Sequence, residues 1–411
     1  MLEGLASVSK LALAMLRTIP AILLVGLVLL GACRPDENET VVEVTRLVET
    51  ENQVEVTRVV SETVVQEATR LVVEEVEVIL EVTKEPLGTD ARPVQLLFPP
   101  LYDADLITRR GVPLVEALSE ATGYQFQVGV LDSEQAVIDL MCAAPQDSIG
   151  FLSPAGYVVA HDQCGVEAGV AAVGEDGLAA KTGMIVSRRD SDIDSIEALR
   201  DKRWAVADES SLSNYVYFQA LLNELGIALD EIVPVAGESV AMLALYEEEV
   251  DVASAEFIPP ILPFEETLWD RETDDPEPWL ELGLSPVRSP IGYVRVNGDP
   301  ENGGYRVRDA RSRIIDVAPE IFDETQIVAL SDPIPNDTVA FGRDFPLALA
   351  KQVETILVDF TGSEACQSSL CSSDFYRWSG LTSAQDVMYD PVRFVQETLE
   401  LSGDELLNLA Q

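Results

Sequence analysis

Apolar and polar positions divide the chain into three stretches of different rhythm. Near the start, the apolar run Ala21 to Leu30 follows Lys10 and Arg17 and leads into Leu30-Gly31-Ala32-Cys33. From residue 36 to about 90, valine alternates with charged residues, and no aromatic residue or glycine occurs before Gly88. From Val94 onward, short apolar runs bounded by turn residues alternate with segments whose apolar positions recur at helical spacing. The short runs predict strands at Val94–Phe98, Phe126–Val130, Ser148–Leu152, Met184–Val186, Trp204–Ala207, Ile232–Val235, Val250–Ala255, Ile327–Ala329 and Thr338–Phe341. Helical spacing predicts helices at Val112–Ala121, Ser133–Met141 with Ser133 as cap, Ser239–Tyr246, Leu347–Phe360 and Pro391–Leu401. Ser153-Pro154-Ala155-Gly156-Tyr157 reads as a turn leading into Val158–His161, and residues 258–302 as an irregular insertion. Strand–helix alternation of this kind indicates an α/β protein with helices covering its sheets.

One stretch organises the rest. After the strand at Trp204–Ala207 come Asp208, Glu209, Ser210, Ser211, Leu212, Ser213 and Asn214. Tyr215, Phe218, Leu221, Leu222 and Leu225 then recur at helical spacing, and Gly226 stops the helix. A hydroxyl-rich turn thus stands at a helix start, where unpaired backbone N–H groups and a partial positive charge suit a small oxyanion. The plainer reading is that one serine only caps the helix.

Composition narrows the partners. The chain has 411 residues, 47% of them hydrophobic, enough for two lobes with real cores. Its formal charge of −45 opposes nucleic acid and anionic headgroups, so an anionic ligand must be held by local donors against the global field. Cys142, Cys164, Cys366 and Cys371 are even in number, and their sequence neighbours suggest Cys142–Cys164 and Cys366–Cys371 disulfides in an oxidising compartment. No cysteine pair has zinc-ligand spacing and His161 is the single histidine, so neither a Cys/His metal site nor a cofactor is expected.

The N-terminal segment has the parts of a secretory signal, and small residues before Cys33 resemble a bacterial lipobox, in which that cysteine is lipidated. The alternative is a membrane anchor with an incidental cysteine, although the apolar run is short for a span. The stalk repeats, as Val42-Glu43-Val44-Thr45-Arg46, Val54-Glu55-Val56-Thr57-Arg58, Glu67-Ala68-Thr69-Arg70 and Glu81-Val82-Thr83-Lys84, with the first three threonines spaced by twelve residues. Strand, coiled coil and disorder all remain open for it, and its position suits a spacer between membrane and domain.

Residues 94–403 resemble the phosphate/phosphonate/phosphite-binding group of periplasmic substrate-binding proteins of ABC importers. The resemblance rests on an ordered set. Ser153-Pro154-Ala155-Gly156-Tyr157 is similar to the family's G-P-x-x-Y, and Asp201 to Val206 to its G-K-R-F-A-F strand. Asp208 to Tyr215 is similar to its D-P-x-S-T-S-G-Y anion loop, Val250-Asp251 through Glu256 to V-D-x-x-x-x-D, and Ile334 to Asp337 to I-P-N-D. Asp374-Phe375-Tyr376 and Tyr389 to Arg393 are similar to its C-terminal signature. Leu212 stands in place of the family's threonine and Asn214 in place of its glycine.

The resemblance implies a two-lobed, type II binding-protein fold with two crossings, expected near Met184–Ser187 and Thr338–Gly342, that closes over a ligand. The expected organisation is a signal and lipobox at 1–33 and a stalk at 34–90. Lobe one would take 91–187 and 338–411, and lobe two 188–337. It also implies a site of Ser211, Leu212 (through its N–H) and Ser213, with Ser210 in support. Tyr157 is expected either in the cleft or in the core, Tyr102 on the first cleft loop, and Glu256 as an acceptor for a ligand amine or hydroxyl. Asp208 is expected to support the loop, Asp337 to brace the hinge, and His161 to be structural or exposed.

The implied role is a lipid-anchored extracytoplasmic component that delivers a small oxyanion such as phosphonate, phosphite or phosphate to an ABC permease. No Gly-rich phosphate loop with Lys-Ser/Thr occurs, so a separate ATPase would drive import. Alternatives are a surface sensor, a binder of another solute such as a sulfonate or amino acid derivative, and a structural surface protein. An enzyme is disfavoured: no G-x-S-x-G elbow occurs and one histidine is available as base.

Overall fold

The computed structural model describes residues 85–262, 269–297 and 304–409. The signal, Cys33 and nearly all of the stalk lie outside these residues. The strands are β1 (Val94–Phe98), β2 (Phe126–Val130), β3 (Ser148–Leu152), β4 (Glu167–Val173), β5 (Ala180–Arg188), β6 (Arg203–Val206), β7 (Glu231–Pro234) and β8 (Val252–Phe257), then β9 (Val287–Arg288), β10 (Val294–Arg295), β11 (Arg306–Val307), β12 (Thr325–Leu330), β13 (Ile334–Pro335), β14 (Thr338–Phe341) and β15 (Gly380–Ser383). The helices are α1 (Ala104–Thr122), α2 (Glu134–Ala143), α3 (Pro154–Cys164), α4 (Tyr217–Glu224), α5 (Glu238–Tyr246), α6 (Arg311–Ile314), α7 (Ile321–Glu324), α8 (Leu347–Thr361), α9 (Asp390–Thr398) and α10 (Gly403–Leu409).

Two sheets carry the architecture. The first has the order β2-β1-β3-β14-β4-β15, and the second β7-β6-β8-β5-β12, with β13 added beside β5. In each, the first three strands run parallel and a later strand enters antiparallel: β14 against β3, and β5 against β8. A third, small sheet joins β9 and β10, within the stretch expected as an irregular insertion, to β11 just beyond it. Strand alternation splits the core across each sheet. Val94, Leu96 and Phe98 pack with residues of α1 and α8, whereas Leu97 joins Val137, Ile138 and Met141 of α2 on the other face. On β8, Ala253, Ala255 and Phe257 pack with α5 residues, and Val252 turns to the opposite side.

The chain crosses between the sheets twice, from Val173 to Ala180 and from Pro335 to Thr338. Both crossings lie earlier than expected, because Met184–Ser187 is the middle of β5, paired with both β8 and β12, and Thr338–Phe341 is β14, already paired with β3 and β4 in the first sheet. In β5 the apolar run marked only the buried centre of a strand whose ends are polar. Asn336 ties the crossings together: its amide nitrogen donates to the carbonyls of Ala172 at 3.1 Å and Leu178 at 2.9 Å, and its backbone N–H donates to Ala179.

Other elements also differ from expectation. Helix α1 starts at Ala104, not Val112, because Asp103 caps it by accepting from the amides of Asp105 and Leu106. Strand β4 was not expected at all; its sequence EAGVAAV lacks aromatic and regularly β-branched positions, yet it lies between β14 and β15. Ser153 to Tyr157 is the first turn of α3, with Ser153 as cap and Pro154 just inside. Both disulfides are formed, Cys142–Cys164 joining the ends of α2 and α3 and Cys366–Cys371 closing a turn after α8.

Candidate functional site

A cleft of about 890 Å³ lies between the sheets. The loop after β6 forms one wall with Asp208, Ser210, Ser211, Leu212 and Ser213. Ser153 and Pro154 of α3 and Tyr376, Arg377 and Trp378 form the facing wall, and Lys181, Asn336 and Asp337 stand at the crossings. Glu256, at the end of β8, completes the lining beside the serine loop.

The loop is held by its own polar groups. Asp208 accepts from the Ser210 amide at 2.9 Å and from the Ser210 hydroxyl at 2.7 Å, which matches the support role expected of it. Ser211 Oγ accepts the Asn214 amide at 3.2 Å, capping a wide helical turn at Leu212–Val216 that runs on into α4. Ser213 is buried, and its hydroxyl donates to Asn214 Oδ1 at 3.1 Å. The amides of Leu212 and Ser213 lie in that first turn, where a helix offers no acceptors of its own. The loop rests directly on β5: a methyl group on Gly183 would lie 2.0 Å from the Ser213 carbonyl oxygen, so only glycine fits there.

Glu238, at the start of α5, joins three parts of this wall. Its Oε1 accepts from the Asn214 side chain at 3.0 Å and from the Glu256 amide at 2.8 Å. Its Oε2 accepts from Arg313 at 3.1 Å. Glu256 itself is partly buried, and burial raises its pKa; Lys181 and Arg313 pull the other way, while Glu238 and Asp176 add to the rise. Burial likewise pushes Asp337 up to about 6, with Lys181 opposing.

On the facing wall, the start of α3 is already occupied. Buried Glu134 accepts from the Ser153 amide at 2.6 Å and the Ser153 hydroxyl at 2.9 Å. The chain thus supplies its own carboxyl group to that helix start, where burial raises the Glu134 pKa and the two Ser153 hydrogen bonds oppose the rise. Arg377 has a left-handed backbone, with φ of 59°, and pairs with Glu175 at 2.6 Å.

The sequence-derived site residues separate into two groups. Ser210, Ser211, Leu212, Ser213 and Glu256 lie together in the cleft. Tyr157 and Tyr102 do not line it. Tyr157 is fully buried against Tyr389, with its hydroxyl donating to Asp386 at 2.9 Å. It falls on the inner face of α3 because the helix begins at Pro154. Tyr102 packs on Phe375 and Tyr376 and donates to the Phe375 carbonyl at 2.7 Å, so Tyr376 takes the wall position. His161 lies outside the cleft and its Nδ1 donates to the Val166 carbonyl at 2.9 Å. Lys181, Arg313 and Arg377 were missed by sequence reasoning. No local signal singles out any of the three, because their placement rests on strand pairing and on partners far along the chain.

Asp337 gives the cleft a pH signature. Its folded pKa lies above its usual 3.8, so the folded state holds this proton more tightly than the unfolded chain does. The stability it contributes is full below about pH 4 and is lost as the pH rises through about 6. Asp337→Asn therefore raises the thermal midpoint at neutral pH and flattens its fall between about pH 4 and about pH 7. A midpoint profile parallel to that of the unaltered protein contradicts this placement.

The family model of ABC-transporter phosphonate periplasmic substrate-binding proteins matches residues 96–389. No curated protein matches this chain. Among solved structures, a binding protein component of an ABC phosphonate transporter from Pseudomonas aeruginosa is 15% identical, with a TM-score of 0.37 over 80% of this chain and 94% of that one. A Prochlorococcus marinus protein in complex with methylphosphonate is 10% identical, with a TM-score of 0.38 over 75% and 98% of the two chains. A Xanthomonas citri protein bound to ATP is 13% identical, with a TM-score of 0.41 over 77% and 97%. The family match covers both sheets and the serine loop, and the chain belongs to the phosphonate-binding family of periplasmic substrate-binding proteins of ABC transporters.

Proposed function

We propose that the chain is the lipid-anchored, extracytoplasmic binding component of an ABC importer, and that it takes a small oxyanion such as a phosphonate, phosphite or phosphate in its interlobe cleft. The observation that carries this reading is the serine loop. Three hydroxyls and two first-turn amides gather at Ser210–Ser213 in the wall of the cleft, held in place by Asp208, Asn214 and Gly183. Ser211 is the loop serine whose hydroxyl hydrogen is not committed to any of the described residues, so it is the hydroxyl ready to donate. Glu256 stands ready to accept a hydrogen from a protonated ligand oxygen or an amine. Anchoring would run through Cys33, with residues 34–90 as spacer and the lobes divided at the two crossings. Closure over the ligand would present the form that a permease recognises.

A thermal-shift and titration panel of methylphosphonate, phosphite, phosphate, a sulfonate and an amino acid tests the reading. Binding to the native state alone raises the midpoint with ligand concentration. At least one phosphorus oxyanion is expected to do so, and Ser211→Ala to weaken it about tenfold or more, since a hydrogen bond to a charged group is lost. A panel in which only the amino acid or the sulfonate shifts the midpoint overturns the oxyanion assignment. Mass spectrometry of the membrane-extracted protein tests Cys33: a diacylglyceryl mass at that residue is expected, and an unmodified thiol contradicts anchoring.

A further inference from the structure

The serine loop has few donors to spare for a charged ligand. The Ser210 hydroxyl donates to Asp208 and that of Ser213 to Asn214, leaving the hydroxyl hydrogen of Ser211 and the amides of the first turn. A full negative charge leaving water needs more than neutral donors, and the cleft as a whole is acidic. Its cations are therefore decisive. Arg377 is paired with Glu175 and Arg313 with Glu238. Lys181 is exposed in the cleft wall and makes no hydrogen bond or ion pair with a described residue.

The strand places this lysine beside the loop. Lys181 and Gly183 are two residues apart on β5 and so share one face of the sheet. Gly183 is where that face meets Ser213, close enough that even a methyl group would strike the Ser213 carbonyl. Lys181 thus emerges on the loop's side of the strand, one pleat repeat of about 7 Å further along, a distance its flexible four-carbon stem covers. Gly183 pairs with Glu256 across to β8, and Lys181 pairs with Ile334 of β13, which brings the lysine to the crossing as well. The same cation therefore faces the serine loop, Glu256 and Asp337.

We propose that Lys181 contacts the ligand and supplies the charge-assisted hydrogen bond that the serine loop does not, which makes it the residue selecting charged over neutral tetrahedral ligands. This rests on the oxyanion reading given above. Lys181 neutralises one ligand oxygen while Ser211 and the Leu212 and Ser213 amides bind the others. Its carboxylate neighbours keep it from being drawn away from the cleft when the site is empty.

The test is calorimetric titration of methylphosphonate, in low and in high salt, into the unaltered protein and into K181M, K181Q and K181R. Loss of the charge is expected to weaken binding about 10- to 100-fold in both K181M and K181Q. K181R is expected to stay within a few-fold of the unaltered protein, and the salt dependence of affinity to diminish in K181M and K181Q. Near-unchanged thermal midpoints for the ligand-free variants establish that they are folded; of the two neutral variants, the one that meets this standard decides. Full affinity in a folded K181M or K181Q overturns the role of Lys181 while leaving the oxyanion reading intact. If the unaltered protein binds none of methylphosphonate, phosphite and phosphate, both fall together.

Discussion

Arg311→Met is expected to lower the stability of the domain by about 3–5 kcal/mol, the cost of removing one partner from a buried ionic network. Arg311 is completely buried at the start of α6. Its guanidinium donates to Asp309 at 2.9 Å and to Glu277 at 2.8 Å, and it lies 4.8 Å from the centre of the Phe322 ring. Burial alone would lower its pKa, but Asp309 and Glu277 more than offset this and hold it above the usual arginine value. Glu277 also accepts from Arg189 and from the backbone N–H of Ile327 in β12. The network thus pins the insertion to the edge of the second sheet. Removing the cation strands Asp309, which is 2% exposed, without a compensating charge. Chemical denaturation checks this. A loss below about 1 kcal/mol contradicts the network, and neutralising Asp309 and Glu277 together with Arg311 should recover much of the loss.

Breaking Cys142–Cys164 is the second large effect. The bridge closes a loop with a sequence separation of 22, which in the chain-entropy account corresponds to about 3 kcal/mol of stabilisation. The bridge between Cys366 and Cys371 closes a separation of only 5 and contributes about 2 kcal/mol on the same account. The paired substitution C142S/C164S should therefore lower the thermal midpoint by about 4–5 °C, more than C366S/C371S does. Equal midpoints for the unaltered protein and C142S/C164S contradict the claim. So do free thiols at both positions in protein purified from an oxidising compartment.

Much of this arrangement is legible in the sequence where one local signal suffices. Val94–Phe98, Phe126–Val130 and Ser148–Leu152 fall where short, mostly apolar runs are bounded by turn residues; only the last is buried throughout, and Phe126–Val130, at the sheet edge, leaves Gln127 exposed. The serine loop was also legible, since strand, hydroxyl cluster and helical periodicity follow one another without interruption. What escaped depends on partners distant in the chain. The partner of Tyr157 is Asp386, and Tyr102 is held by Phe375; both contacts span more than two hundred residues and no periodicity encodes them. After Glu167, strand β4 is made of glycine, alanine and valine, and it becomes a strand because β14 and β15 pair with it. Lys181 is one cation in a chain with 27, and it matters only because Gly183 brings the serine loop down onto the same strand.

The most direct test is a crystal structure of the protein grown with methylphosphonate. The account predicts phosphonate oxygens within hydrogen-bond distance of Ser211 Oγ and of the Leu212 and Ser213 amides, with both walls of the cleft drawn in around them. Phosphonate bound away from the serine loop, or density found only outside the cleft, would contradict it.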